Sequence, residues 1–109
     1  MRPAAIGIFW WDHNGPVLWP IFRVRVIGPS MEPALANGDV VWARRGGITP
    51  GAVAVFREPD RPEMIAVKRI DRLSEQGVWV VGDNLLASRD SRHYGWIPFT
   101  DVLGTLLSR

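Results

Sequence analysis

The chain has 109 residues, enough for one domain with a real core and too few for two. Its net charge is +2 with arginines scattered along the length, which argues against a nucleic-acid footprint. The absence of cysteine excludes disulfides, thiolate metal sites and a cysteine nucleophile. Of the 13 basic residues a single one is lysine, Lys68. Lysine, unlike arginine, can lose its proton inside a protein.

Residues 1–21 read as an N-terminal apolar segment that is not a transmembrane helix. The run Pro3 to Trp11 is short, Asp12, His13, Asn14 and Gly15 interrupt it, and Pro20 breaks the next apolar stretch. It also lacks the layout of a secretory signal. Trp10, Trp11 and Trp19 are read as covering part of the core, with membrane contact at most peripheral. Residues 22–109 then form the folded domain. Phe22 to Ile27 alternates strictly, as a half-buried strand does. Asp39 to Arg44, Ala52 to Phe56, Met64 to Ile70, Val78 to Val81 and Val102 to Leu107 are further strands, rich in β-branched and aromatic residues. Gly46-Gly47, Thr49 to Gly51, Pro59-Asp60 and Glu75 to Gly77 supply the turns. The expected class is all-β and mostly antiparallel, a small coiled or closed sheet with short helical turns.

Three stretches carry chemistry. Gly28-Pro-Ser30-Met-Glu-Pro33 comes directly after the first strand, and Pro29 and Pro33 stiffen the backbone on either side of Ser30. That suits a preorganised nucleophile, and equally a plain turn serine. In the strand from Met64 to Ile70, alternation puts Lys68 on one face with Met64, Ala66 and Ile70. An apolar face lowers a lysine pKa, whereas a snorkelling lysine on an edge strand keeps its head wet. The third stretch, Val81 to Arg92, is a polar loop after a strand, and alone it is a generic one.

Together the three resemble the boxes of the signal peptidase I family of Ser–Lys proteases. Gly28 to Leu35 with Gly38 to Val41 matches the nucleophile box, Val67-Lys-Arg-Ile70 the lysine box, and Gly82-Asp-Asn84 through Ser88, Asp90, Ser91 and Arg92 the final box. Three boxes in order are specific where one is not. The resemblance implies the signal peptidase/LexA-like fold and peptide-bond hydrolysis through an acyl-enzyme, with no cofactor and no metal. Ser30 is then the nucleophile and one oxyanion donor through its N–H, and Lys68 the general base. Ser88 orients the lysine, and the pairs Asp83–Arg69 and Asp90–Arg92 support the site. Met31 and Ala66 meet a substrate bound as an extended strand. Some members carry a serine as second oxyanion donor where this chain has Gly28. Small size and the missing anchor resemble most the maturation proteases of nickel-type superoxide dismutase. The implied partner is an extended segment of a precursor protein, with that dismutase precursor as one candidate. The implied location is cytoplasmic, peripheral to a membrane.

Three rival readings remain at this level. A LexA-like self-cleaving domain uses the same dyad but needs a cleavage segment ahead of the serine. A non-catalytic peptide-binding module would keep only the groove. A Ser-His-Asp hydrolase would need His93 or His13 beside Ser30.

Overall fold

The computed structural model describes residues 6–8, 11–12, 15–16 and 21–107, the first three stretches by their strand pairing alone. The expectations for Trp10, Trp19 and His13, and for the Trp11 side chain, lie outside the described residues. A short strand β1 (Ile6–Ile8) and a two-stranded ladder of β2 (Trp11–Asp12) with β3 (Gly15–Pro16) come first. The main strands are β4 (Ile21–Val26), β5 (Val40–Arg44), β6 (Val53–Glu58), β7 (Arg61–Ser74), β8 (Gly77–Val81) and β9 (Val102–Leu106). All pairings are antiparallel, in the order β1-β4-β5-β9-β6-β7-β8. The fold is all-β, and among the described residues the sheet is open: β1 and β8 are its two edges, with no ladder joining them. No helix among the described residues is long and apolar enough to cross a membrane.

Side-chain alternation decides which faces are buried. On β4, Phe22, Val24 and Val26 point inward while Ile21, Arg23 and Arg25 point out. The central strand β6 is buried on both faces and splits the core in two. Val53 and Val55 pack with Phe22, Val24 and Val41; Ala54 and Phe56 pack with Ala66, Ile70, Val78 and Val80. Strand β7 exceeds the stretch that its apolar pattern marks. Its exposed ends, Arg61 to Glu63 and Asp71 to Leu73, carry the ladder beyond the core into hairpins with β6 and β8. Lys68 lies opposite Ala54, in the middle of this buried region.

Two short helical elements come after β8: a 3-10 turn at Leu85–Ala87 and one helical turn, α1 (Ser91–Tyr94). Asp90 caps α1 by accepting from the Arg92 N–H, and His93 Nδ1 accepts from the Asp90 N–H in return. A second 3-10 turn, Phe99–Asp101, leads into β9.

Candidate active site

The chain leaves the sheet after Val26 and returns at the same point. Val26 N–H donates to Asp39 O at 2.8 Å, and Gly38 N–H donates to Val26 O at 2.7 Å. The excursion between them holds Ser30. It departs through Gly28, whose φ of 95° is a conformation that a side chain strains. A serine at this position would have open space but the wrong backbone, which gives a local reason for the glycine. Beneath the turn, Met31 is 1% exposed, packed in the core with Leu35 and Val41. Its Sδ accepts the Asp83 N–H at 3.5 Å. Met31 thus anchors the turn from below.

Asn84 holds the turn from the opposite side. Its N–H donates to Ser30 O at 2.8 Å, and its amide Nδ2 donates to Pro29 O at 3.2 Å. The Ser30 N–H makes no hydrogen bond among the described residues, so it is available to a developing oxyanion. Asn84 is a positioning residue that sequence reading missed. The only available signal was its place in the Gly-Asp-Asn run.

Lys68 is 7% exposed, and its Nζ donates to Ser30 Oγ at 3.0 Å. Burial pushes its pKa below that of an ordinary lysine, while the charges of Glu58 and Asp90 work in the opposite direction. With the amine neutral the same contact reverses, and the hydroxyl donates to the nitrogen lone pair. A serine hydroxyl facing a desolvated amine can supply a nucleophile and a base.

The loop after β8 packs around this pair. Ser88 Oγ donates to Asp90 Oδ2 at 2.8 Å, so its hydroxyl proton goes to the carboxylate, and the Lys68 hydrogen bond goes to Ser30. Asp90 is fully buried, accepts the Gly82 N–H at 2.9 Å, and takes a two-pronged ion pair from Arg92 at 2.8 and 2.9 Å. Burial works to raise its carboxyl pKa, but Arg92, the Gly82 N–H and Ser88 prevail and hold it at about 2. Asp83 and Arg69 form a second two-pronged pair at 3.0 and 2.7 Å, and Arg69 also donates to Gly51 O. The two pairs tie the loop to itself and to β7.

Gly82 is the point of closest approach. A Cβ there would overlap the Ser88 side chain and come within 2.8 Å of Ser30 O. Gly82→Ala should therefore push the Ser30 turn and the Ser88 loop apart. Displacements of about 1 Å cost on the order of 10²-fold in rate. The expected outcome is a fall of about that size in kcat/KM toward a peptide, read by steady-state kinetics.

Several clefts flank these elements. The one beside the pair, about 90 Å³, is lined by Ser30, Lys68, Ala66, Met64, Glu58 and Arg61 among others. A larger one, about 460 Å³, lies at Arg69, Asp83 and Leu85, contains neither Ser30 nor Lys68, and has its main charges paired with each other. His93 sits in the α1 cap with its Nδ1 engaged by the Asp90 N–H, while the Ser30 hydroxyl is partnered by Lys68.

The fold is an all-β domain, and its site sets a serine hydroxyl against a buried amine. No protein-family model matches the chain. Curated relatives give the particular branch. The chain is 37% identical to the mitochondrial ATP-independent inner membrane protease subunit 1a of Arabidopsis thaliana, over 82% of this chain and 70% of that one. It is 32% identical to the mitochondrial inner membrane protease subunit 1 of Mus musculus and of Homo sapiens, over 72% of this chain and 63% of each of theirs. The chain belongs to the inner membrane protease subunit 1 family, a branch of the signal peptidase I family.

Proposed function

We propose that the protein is a serine endopeptidase that removes a signal peptide or N-terminal extension from a precursor. The observation that carries this reading is the 3.0 Å contact between Ser30 Oγ and the buried Lys68 Nζ. Neutral Lys68 takes the hydroxyl proton as Ser30 Oγ attacks the scissile carbonyl, and the Ser30 N–H donates to the oxyanion. The resulting ammonium hands its proton to the leaving amine, which departs and leaves an ester on Ser30. Lys68, neutral again, takes a proton from water, which cleaves the ester and restores the serine. Ser88, Asp90 and Arg92 hold the loop against this pair, and Asp83 with Arg69 ties it to β7. Ala66, on the cleft wall, meets the substrate strand.

The names of the relatives, inner membrane protease subunits, support proteolysis at a membrane. The exposed Ile21, Val40 and Trp42 on the outer face of β4 and β5 support a peripheral membrane contact. The sequence resemblance to the short maturation proteases supports the nickel-type superoxide dismutase precursor as one substrate.

The test is an active-site-directed acylating probe, with the labelled residue located by peptide mapping. Labelling at Ser30 that Ser30→Ala removes is expected. Tight peptide binding without labelling would make the protein a binding module. Cleavage of its own chain in cis at alkaline pH would make it a self-processing domain.

A further inference from the structure

The charges of two buried carboxylates, Glu58 and Asp90, reach the Lys68 amine, and each favours its protonated form. Arg92 answers Asp90 within the loop. Glu58, at the end of β6, shares the cleft wall with Ser30 and Lys68 and is answered by a different pair. Arg61 donates to its Oε1 through Nε at 2.9 Å, and Arg89 donates to the same oxygen through Nη1 at 2.8 Å. Arg89 comes from the loop, between Ser88 and Asp90, and its guanidinium also pairs with Asp60 in the turn between β6 and β7. Two further contacts fix it in place. The guanidinium carbon lies 5.2 Å from the centre of the Tyr94 ring, and the Tyr94 hydroxyl donates to Arg89 O at 3.4 Å. Of the other titratable groups on these elements, burial pushes the Tyr94 phenol up, so it stays neutral. His93 Nδ1 accepts the Asp90 N–H, Arg69 and Asp83 pair with each other, and Glu32 on the Ser30 turn is exposed. An uncompensated carboxylate in this cleft would hold the amine as ammonium, and an ammonium is no base.

We propose that Arg89 is a positioning residue for the base: it pins the Ser88–Asp90 loop to the β6–β7 hairpin and offsets the Glu58 carboxylate that shares the cleft with Lys68. The inference rests on the peptidase reading above. It names a residue outside the nucleophile and base that keeps the amine able to take a proton. The side chains of Arg89 and Asp60 are 40% and 43% exposed, so their ion pair contributes little to stability. The effect of the clasp is on charge and placement.

The test follows the Lys68 amine in two variants whose expected effects have opposite signs. Arg89→Met removes a positive charge and leaves Glu58 with Arg61 alone, which favours the ammonium. The Lys68 midpoint, read by NMR with isotope-labelled lysine, and the acid limb of kcat/KM should both move up by about half a pH unit or more. Glu58→Gln removes the negative charge, so both should move down by about as much. On the alkaline plateau, where the amine is neutral in every variant, Arg89→Met should still lose about tenfold in kcat with KM little changed, the mark of misplacement. Arg89→Lys keeps the charge, and its acid limb should return to the wild-type position. A merely structural role would lower the melting temperature and shift neither midpoint. Midpoints that stay put in both folded variants, or move the same way in both, overturn the proposal, as does a wild-type plateau kcat in Arg89→Met. If Glu58→Gln does not fold, Arg89→Met against Arg89→Lys decides, and equal acid limbs in that pair overturn it. If the wild-type protein cuts peptide and these shifts are absent, only this inference falls. If it cuts nothing, the peptidase reading falls and takes this inference with it.

Discussion

Lys68→Arg is expected to lower kcat/KM for peptide cleavage by at least about 10³-fold. A general base contributes about 10²–10⁴ to the rate, and base and nucleophile fail as a unit. Arginine keeps the positive charge but cannot release its proton, so it removes the base alone. It also forces a permanent cation into a site where the amine is 7% exposed, so the variant is expected to melt earlier. Lys68→Met separates the two effects. It keeps the apolar stem, deletes the charge, and should lose as much activity while melting no earlier than the wild-type protein. Retention of more than about a tenth of wild-type kcat/KM by either variant would assign the base elsewhere.

Asp90→Ala is expected to be the most destabilising single change in the loop. Asp90 is fully buried and takes the Gly82 N–H, the Ser88 hydroxyl, the Arg92 N–H and the Arg92 guanidinium together. Its removal leaves the buried Gly82 N–H and the Ser88 hydroxyl without their acceptor, at about 1–3 kcal/mol each, while the half-exposed Arg92 turns to water. For a domain of this size that lowers Tm by roughly 10–20 °C, readable by calorimetry. The pH dependence tracks the same carboxylate. Its folded pKa of about 2 lies below the ordinary value of 3.8, so its stabilisation is fully present above 3.8 and lost as pH falls through about 2. The acid limb of a stability–pH curve should therefore flatten in the variant.

The strands were legible because burial on one face writes a period of two into the sequence, as in Phe22, Val24 and Val26. The ends of β7 were not. Arg61 to Glu63 and Asp71 to Leu73 are exposed, and their ladder is held by backbone bonds that leave no apolar trace. The apolar face around Lys68 was readable from its neighbours Ala66 and Ile70, but its meeting with Ser30 was not. The two are 38 residues apart, and β4 and β7 are not neighbours in the sheet, so no spacing rule joins them. The family resemblance did. Asn84 stayed hidden because it acts largely through a backbone N–H that any residue would carry. Alternation also cannot tell a residue beneath a turn from one lining a groove, which is why Met31 lies in the core and Ala66 on the cleft wall.

Because Lys68 is the chain's single lysine, isotope-labelled lysine gives one side-chain resonance, and its titration by NMR reports this amine alone. The expected midpoint lies clearly below the ordinary 10.5 and coincides with the rise of kcat/KM with pH. A lysine that titrates near 10.5, while cleavage is already at full rate near neutrality, would show that this amine is not the base.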